Sequence, residues 1–376
     1  MTTISSGNYL LPAFFLGVVV AGGVFSAVSS TSTPNELGRL IKAAPSELII
    51  CNADTKVTAL AAAKKCGIPT SRVLEIDSSE TTGPALRRSD NGENILGSEM
   101  LDWRRITDRK ELETTNIVLI YSSGTTGLPK GVPLSHRNIA TSAVMAQQYL
   151  IGRVRAINPK YECRTLAHLP IAHIAGLQGY LVNPFYVNGP TYWMRNFSYP
   201  DFLAYNKKYR ITFFFTVPPI YLLIAKDPNV TDHFDNLEVA ISGAAPLGKE
   251  LQYEASKKLG RGKTFISQTW GLSENAGSAT LLPFPEVDDT GSVSRLIPDV
   301  EMRIVDDDGK DVEVGKPGEM CLRGPIVFRG YHNNPEANNG AFLEGGWFCT
   351  GDVGMFDEKK GLFYIVDRKK VRILLC

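Results

Sequence analysis

The chain has 376 residues, which at roughly 150 residues per domain points to two or three domains and excludes a peptide or a small stapled module. With 40 Lys and Arg against 39 Asp and Glu, a formal charge of +1, there is no global field to recruit nucleic acid or an anionic membrane surface. Hydrophobic content of 43% beside 21% charged residues excludes wholesale disorder, collagen-like repeats and a polytopic membrane protein.

In chain order, Tyr9 to Val28 is an uncharged run long enough for a bilayer. Residues 1–8 carry no Lys or Arg, however, and Pro12 and Gly22-Gly23 interrupt the run, so it predicts a buried core helix followed by a strand. Leu48 to Cys51 reads as a strand. Val57, Leu60, Ala61 and Lys64 then mark the face of a helix closed by Gly67, and Val73 to Ile76 is a second strand. Thr81 to Ser98, rich in Gly, Ser, Asn and Arg, reads as a flexible surface loop. Ile117 to Tyr121 is a strand entering a glycine-rich loop, and a helix capped by Ser135 runs to about Tyr149. Strands are predicted at Thr165 to Leu169, Ile211 to Val217 and Leu237 to Ile241. Leu247, Leu251, Ala255 and Leu259 form an apolar helical stripe, with Pro246 at its start and Gly260 after its end.

This alternation is α/β. Near Asp288 the texture changes, and from Val300 the pattern is strand-like, with hairpin turns at Asp308-Gly309 and Lys360-Gly361. An α/β unit over 1–287 is therefore followed by a smaller β-rich unit over 288–366. The cysteines (Cys51, Cys66, Cys163, Cys321, Cys349 and Cys376) include no C-x-x-C pair, so neither zinc spacing nor a disulfide framework is legible, and a reducing compartment is expected.

The densest chemical signal is "YSSGTTGLPKGV", Tyr121 to Val132. Hydroxyls, unobstructed backbone N–H groups and one mobile cation directly after a strand suit a polyphosphate. It is not a Walker A loop, because Pro129 precedes Lys130 and Gly131 follows it.

The string resembles the signature of the adenylate-forming superfamily, which includes acyl-CoA synthetases, 4-coumarate-CoA ligases and luciferases. "HLPIAHIAG" (His168 to Gly176), "ISGAAPLGKE" (Ile241 to Glu250), "QTWGLSENAG" (Gln268 to Gly277), "GEMCLRGP" (Gly318 to Pro325) and "GWFCTGDVG" (Gly346 to Gly354) are similar to its further motifs, in order. The resemblance implies a layered α/β AMP-binding large domain with a β-rich subdomain. The implied activity is ATP-dependent conversion of a fatty or aryl carboxylic acid to an acyl-adenylate, with transfer to CoA as co-substrate.

By resemblance, Ser122, Ser123, Gly124, Thr125, Thr126, Gly127 and Lys130 hold the β- and γ-phosphates, and Glu274 holds Mg²⁺. Asp352 takes the ribose hydroxyls; Gly243, Ala244 and Ala245 lie against adenine, with Thr269, Trp270, Gly271 and Ser273 in the neighbouring nucleotide motif. Trp270 stands at the adenine-stacking position, where the family usually has tyrosine and where its π-face would serve; Thr269 stands where glycine is commoner, and Ser273 where threonine is commoner. Lys130, His173, Glu274 and Arg368 are the implied catalytic set. His173 marks the acid end, where the absence of an acidic residue between His168 and Gly176 argues for a neutral, apolar acid lined by Ile174 and Phe213 to Phe215. "FYIVDRKK" is similar to the family's hinge, with Lys370 near the pivot. After it, 367–376 reads as a hinge remnant and the non-family tail "VRILLC". The expectation is a chain short at both ends and lacking the mobile C-terminal domain, in a cytoplasmic or peroxisomal setting, without a nucleic-acid or membrane partner. A truncated, catalytically silent nucleotide-binding fragment is the alternative.

Overall fold

Short apolar runs separated by helices build the first layer of the computed structural model, which describes residues 1–78, 83–122 and 129–369. Strands β1 (Thr2–Ile4), β2 (Phe25–Val28), β3 (Ile49–Cys51), β4 (Val73–Asp77), β5 (Ala85–Arg88), β6 (Asn116–Ser122) and β7 (Lys130–Ser135) form one sheet in the order β5-β4-β3-β1-β2-β6-β7. Its interior pairs are parallel, and β5 and β7 close the two edges antiparallel. Crossover helices α1 (Leu11–Val20), α2 (Pro34–Ala43) and α3 (Lys56–Cys66) link the parallel strands, as such connections require.

Local chemistry sets the helix ends. Thr33 and Glu36 form a reciprocal capping box on α2, and Gly67, at φ 72°, closes α3 in the left-handed conformation. After a short helix α4 (Arg109–Thr114), Ser135 and Asn138 cap α5 (His136–Gln147) in the same reciprocal way. The Asn138 amide also donates to the Pro325 and Val327 carbonyls at 2.8 and 3.0 Å. One cap thereby ties the first layer to the C-terminal part of the chain.

Strands β8 (Thr165–Ala167) and β9 (Thr191–Trp193) pair in parallel. Beside them, β10 (Phe213–Thr216), β11 (Val239–Ser242) and β12 (Ile266–Gln268) make a parallel three-stranded sheet. Two short antiparallel pairs follow, β13 (Gly271–Leu272) with β14 (Gly277–Ser278) and β15 (Thr280–Leu281) with β16 (Arg295–Leu296). The β-rich part is an antiparallel sheet of β17 (Glu301–Val305), β18 (Gly318–Arg323), β19 (Phe342–Leu343), β20 (Trp347–Asp357) and β21 (Leu362–Arg368). β20 carries β19 and β18 and, towards its end, β21. The Lys360-Gly361 turn is present with Gly361 at φ 66°. After the Asp308-Gly309 turn the return strand is reduced to a bridge between Val305 and Asp311.

Four expectations need correction in detail. The Tyr9–Val28 run is a helix and a strand, but only Leu11 and Phe15 of α1 are buried, while Leu16 and Val20 are 40% and 37% exposed. A helix apolar all round gives no contrast from which to choose its inner face. Among the described residues no helix is long and apolar enough to cross a membrane. In α3 the buried face is Ala59, Ala62 and Ala63, and Val57 is 79% exposed. Small side chains let α3 approach α2 closely, which outweighs burying one valine. Within the expected 81–98 loop, Ala85–Arg88 is an edge strand with Leu86 buried and Arg87 paired to Asp77; Thr81 and Thr82 lie outside the described residues. The Leu247–Leu259 stripe is buried at Leu247, Ala255 and Leu259, but the helix itself covers only Lys249–Ser256, with Gly248 at its N-cap.

Around β8 and β10, Phe202, Phe214, Phe234 and Tyr221 interlock, and His168 packs edge-on against Phe202. Its Nδ1 lies 2.8 Å from the Leu166 carbonyl, which can only accept, so Nδ1 carries the proton and Nε2 accepts from the Thr216 hydroxyl at 2.9 Å. Burial holds this imidazole down to about 4 from its ordinary 6.5. Between those values the unfolded chain binds a proton that the fold does not. Stability from this site is therefore complete above about 6.5 and is lost as pH falls towards about 4, by on the order of 3 kcal/mol. Urea midpoints measured across that window should rise with pH in the natural protein and rise less in His168→Asn.

Candidate functional site

Two adjoining chambers open where the three sheets meet. The polar chamber is lined by Tyr121 and Ser122 at the end of β6, Lys130 at the start of β7, Ser273 and Glu274 after β13, Tyr331, Thr350 and Gly351 in β20, and Arg368 at the end of β21. It holds about 1120 Å³ of empty space including its open mouth. The second chamber, about 760 Å³ on the same measure, is lined by Ala146, Leu150, Ile174, Phe213, Phe215, Ile241 and Leu281, with the amides of Gln147, Gln178 and Asn183. His173, Ala244 and Gly271 line both, so they form the seam between them.

The polar chamber is organised around Glu274, which is 6% exposed and accepts from the Tyr331 hydroxyl at 3.0 Å. The Lys130 ammonium lies 4.8 Å from the centre of the Tyr331 ring, a cation–π distance. Burial and the Glu274 charge push the Tyr331 phenol well above its usual range, so it stays a hydrogen-bond donor to that carboxylate. The Glu274 carbonyl accepts the Phe328 N–H at 2.7 Å, which anchors the Tyr331 segment. Ser122 and Lys130 are register partners across β6 and β7, so both ends of the intervening loop face one place. Ser123, Gly124, Thr125, Thr126 and Gly127 of that loop, and Lys370 of the hinge string, lie outside the described residues.

Behind the chamber wall, Asp352 accepts from Trp270 Nε1 at 2.9 Å and pairs with Arg368 Nε at 3.2 Å. Burial raises its carboxyl, while the Trp270 hydrogen bond and the Arg368 charge oppose that rise. Trp270 is itself buried in the core beneath β20. Trp270, Asp352, Gly243 and Ala245 are not among the residues lining either chamber, whereas Thr269 lines the apolar one. A tyrosine at position 270 would lack the indole N–H that reaches Asp352.

The seam is narrow for backbone reasons. Ala244 has φ 68°, a left-handed conformation that side chains disfavour. His173 Nδ1 accepts the Ala175 N–H at 3.3 Å, leaving the ring proton on Nε2. Although the imidazole is open to the cavity, the protein packed around it lowers its affinity for a second proton. The Phe213–Phe215 run divides by strand alternation: Phe214 is buried in the core, and Phe213 and Phe215 line the apolar chamber.

A family model described as AMP-binding enzyme matches residues 7–332. The chain belongs to the AMP-binding enzyme family. An Emericella nidulans relative carrying an acyl-coenzyme A synthetase name is 43% identical over 371 residues, 98% of this chain and 66% of its own length. The phenylacetyl-CoA ligase epaB of Aspergillus niger is 35% identical over 359 residues, 94% of this chain and 65% of its own. The chain spans about two thirds of the length of the curated relatives it matches. Crystals of ATP-bound MatB from Rhodopseudomonas palustris superpose with a TM-score of 0.81 at 26% identity, covering 98% of this chain and 68% of that one. The adenylate-forming α/β architecture read from the motifs is thus this chain's own.

Of the residues singled out from the sequence, the structure brings Ser122, Lys130, His173, Ala244, Gly271, Ser273, Glu274 and Arg368 together around the polar chamber. It missed Tyr331. The signal available was an aromatic in "RGYHNNPEA", which carries no chemistry until the fold sets it on Glu274.

Gly243, beside the seam residue Ala244, is tightly packed. A Cβ there would lie 2.7 Å from ring carbons of Phe215 and 2.9 Å from Thr269 Cγ2. Gly243→Ala should force the Phe215 ring to move and cost about 1–3 kcal/mol, as overpacking does, read as a lowered urea midpoint.

Proposed function

We propose that this AMP-binding family member activates a neutral, apolar carboxylic acid of fatty or aryl type with ATP, and that in the intact system the acyl group passes to CoA. The observation that carries this reading is the shared seam: a polar chamber with Lys130, Ser122, Glu274 and Arg368 meets an apolar chamber at His173, Ala244 and Gly271. A nucleotide phosphate tail in the first and an acid in the second would bring the carboxylate to the α-phosphorus. The carboxylate oxygen attacks the α-phosphorus, the bond from that phosphorus to the α,β-bridging oxygen breaks, and pyrophosphate leaves with an acyl-adenylate remaining. Such chemistry asks the protein mainly to position groups and stabilise charge.

The roles of individual residues follow from their settings. Lys130 and the Ser122 hydroxyl face the departing phosphates. Glu274 is a buried carboxylate in a chamber whose other ligands would be phosphate oxygens, which fits Mg²⁺ held by few protein groups; when bound, that ion would neutralise charge on the phosphates. Asp352, behind the wall of the polar chamber and held by Trp270 and Arg368, would take the ribose hydroxyls by family resemblance, which asks its carboxylate to turn from those partners toward the chamber. His173, neutral with its proton on Nε2, can donate to the acid's carboxylate. Of Gly243, Ala244 and Ala245, Ala244 lines both chambers and would give adenine a side-chain-poor approach. Within the apolar chamber His173 is the ionisable lining residue, which supports an uncharged acid tail over an amino acid. The division at residue 288 fits this scheme, since the β-rich unit supplies Asp352 and Arg368.

Hydroxylamine trapping with ATP, Mg²⁺ and a panel of fatty, phenylacetic and cinnamic-type acids should yield hydroxamates, and adding CoA should yield thioester. Absence of ATP binding by calorimetry on folded protein would overturn the reading. ATP binding without hydroxamate would favour a binding-only protein. Glu274→Gln should lower hydroxamate formation by about 10²–10³-fold, the usual effect of removing one transition-state stabiliser, without lowering the melting temperature to the same degree as a core variant. Trp270→Phe removes the indole donor to Asp352. Calorimetry should find ATP bound about tenfold more weakly, since a charge-assisted hydrogen bond contributes roughly 1.5–3 kcal/mol.

A further inference from the structure

Outside the two chambers, the antiparallel sheet carries two thiols that the proposed chemistry does not use. Cys321 on β18 and Cys349 on β20 are register partners, and their sulfurs are 3.4 Å apart. The Cys349 N–H is donated to the Ala341 carbonyl on the opposite side, so the Cys321–Cys349 pair is of the non-hydrogen-bonded kind. In such pairs side chains approach most closely, with Cα atoms about 4.5 Å apart, inside the span a disulfide tolerates. Both residues are free cysteines.

The two differ in a way that gives each a role. Cys321 is fully buried, whereas Cys349 is half-buried and reachable. The Cys321 S–H donates to Cys349 Sγ, and this holds the Cys349 thiol below its usual range and the Cys321 thiol above it. Lys369 adds positive charge near Cys349, against the opposing charge of Glu319. An accessible thiol in contact with a buried partner thiol across two strands is the arrangement of a redox-responsive pair.

We propose that Cys321 and Cys349 are a modification site that a hydroperoxide converts to a reversible cross-strand disulfide. The Cys349 thiolate attacks one peroxide oxygen, the O–O bond breaks, and the departing hydroxide or alkoxide takes a proton, leaving Cys349 as a sulfenic acid. Cys321 sulfur then attacks the Cys349 sulfur, the S–O bond breaks, and the Cys321 proton leaves with hydroxide as water. The two thiols together lose two electrons and two protons, and the peroxide is reduced. The product staples β18 to β20 three residues before Asp352, and added dithiol reverses it.

The experiment treats the whole chain with hydrogen peroxide and maps disulfides by mass spectrometry after blocking free thiols. The expected result is a Cys321–Cys349 linked peptide lighter by two hydrogens, lost on adding dithiothreitol. In Cys321→Ser the link disappears and Cys349 accumulates as sulfenic or sulfinic acid; in Cys349→Ser, Cys321 stays reduced. Cys51, Cys66 and Cys163 serve as internal comparisons. Over-oxidation of Cys349 in the natural protein without the link would overturn the proposal. So would mixed linkage to Cys66 or Cys376, or labelling of Cys349 as slow as that of the buried Cys51.

Discussion

A carboxylate as buried as Glu274 must be compensated where it sits, and that requirement joins the three parts of the chain. An ionised group taken out of water costs several kcal/mol unless hydrogen bonds and opposite charge replace its hydration. Here the Tyr331 hydroxyl supplies the bond, and the cation of Lys130 lies over the same ring. Lys130 comes from the edge of the first sheet, Glu274 from the turn after β13, and Tyr331 from the segment leading to β19. A shift of any one of them leaves a buried charge with poorer company. Asp352 repeats the theme, because Trp270, from the segment between β12 and β13, and Arg368, at the end of β21, both reach its carboxylate.

The layers exist to hold those contacts in register. The first sheet ends β6 and begins β7 at one spot, which fixes both ends of the glycine-rich loop. The cap of α5 then extends its amide into the Pro325–Val327 backbone, so the segment carrying Tyr331 cannot drift independently of the first layer. Polar networks that are fully satisfied in this way specify one arrangement rather than merely adding stability.

Much of this was legible in the residues, and what was not has physical causes. The order of strands and helices followed from apolar spacing, and Gly67, Ser135 and Gly361 marked ends because few other residues supply those backbone shapes or caps. The motif residues identified the family, and several of them meet around the polar chamber. Inner faces were harder: α1 is apolar on every side, and α3 buries alanines while exposing Val57, because close helix approach rather than side-chain size decided its orientation. The four-residue strand β5 was hidden in a polar, glycine-containing stretch, since one buried leucine is too weak a period to read. Tyr331 and the Trp270–Asp352 bond were invisible because they join residues 57 and 82 positions apart, a relation that only the tertiary fold creates.

The common boundary of the two chambers carries an asymmetry for how such a protein can diversify. A larger side chain at His173, Ala244 or Gly271 would intrude on both tenants at once, and Gly271 has no room at all, since a Cβ there would fall 1.8 Å from the Gly277 oxygen. Leu150, Phe213 and Leu281 border the apolar side alone. Exchanges among them can lengthen or shorten the accommodated tail while the energy-supplying half stays untouched. On the proposed function, selectivity for the acid would be free to drift without any renegotiation with the nucleotide.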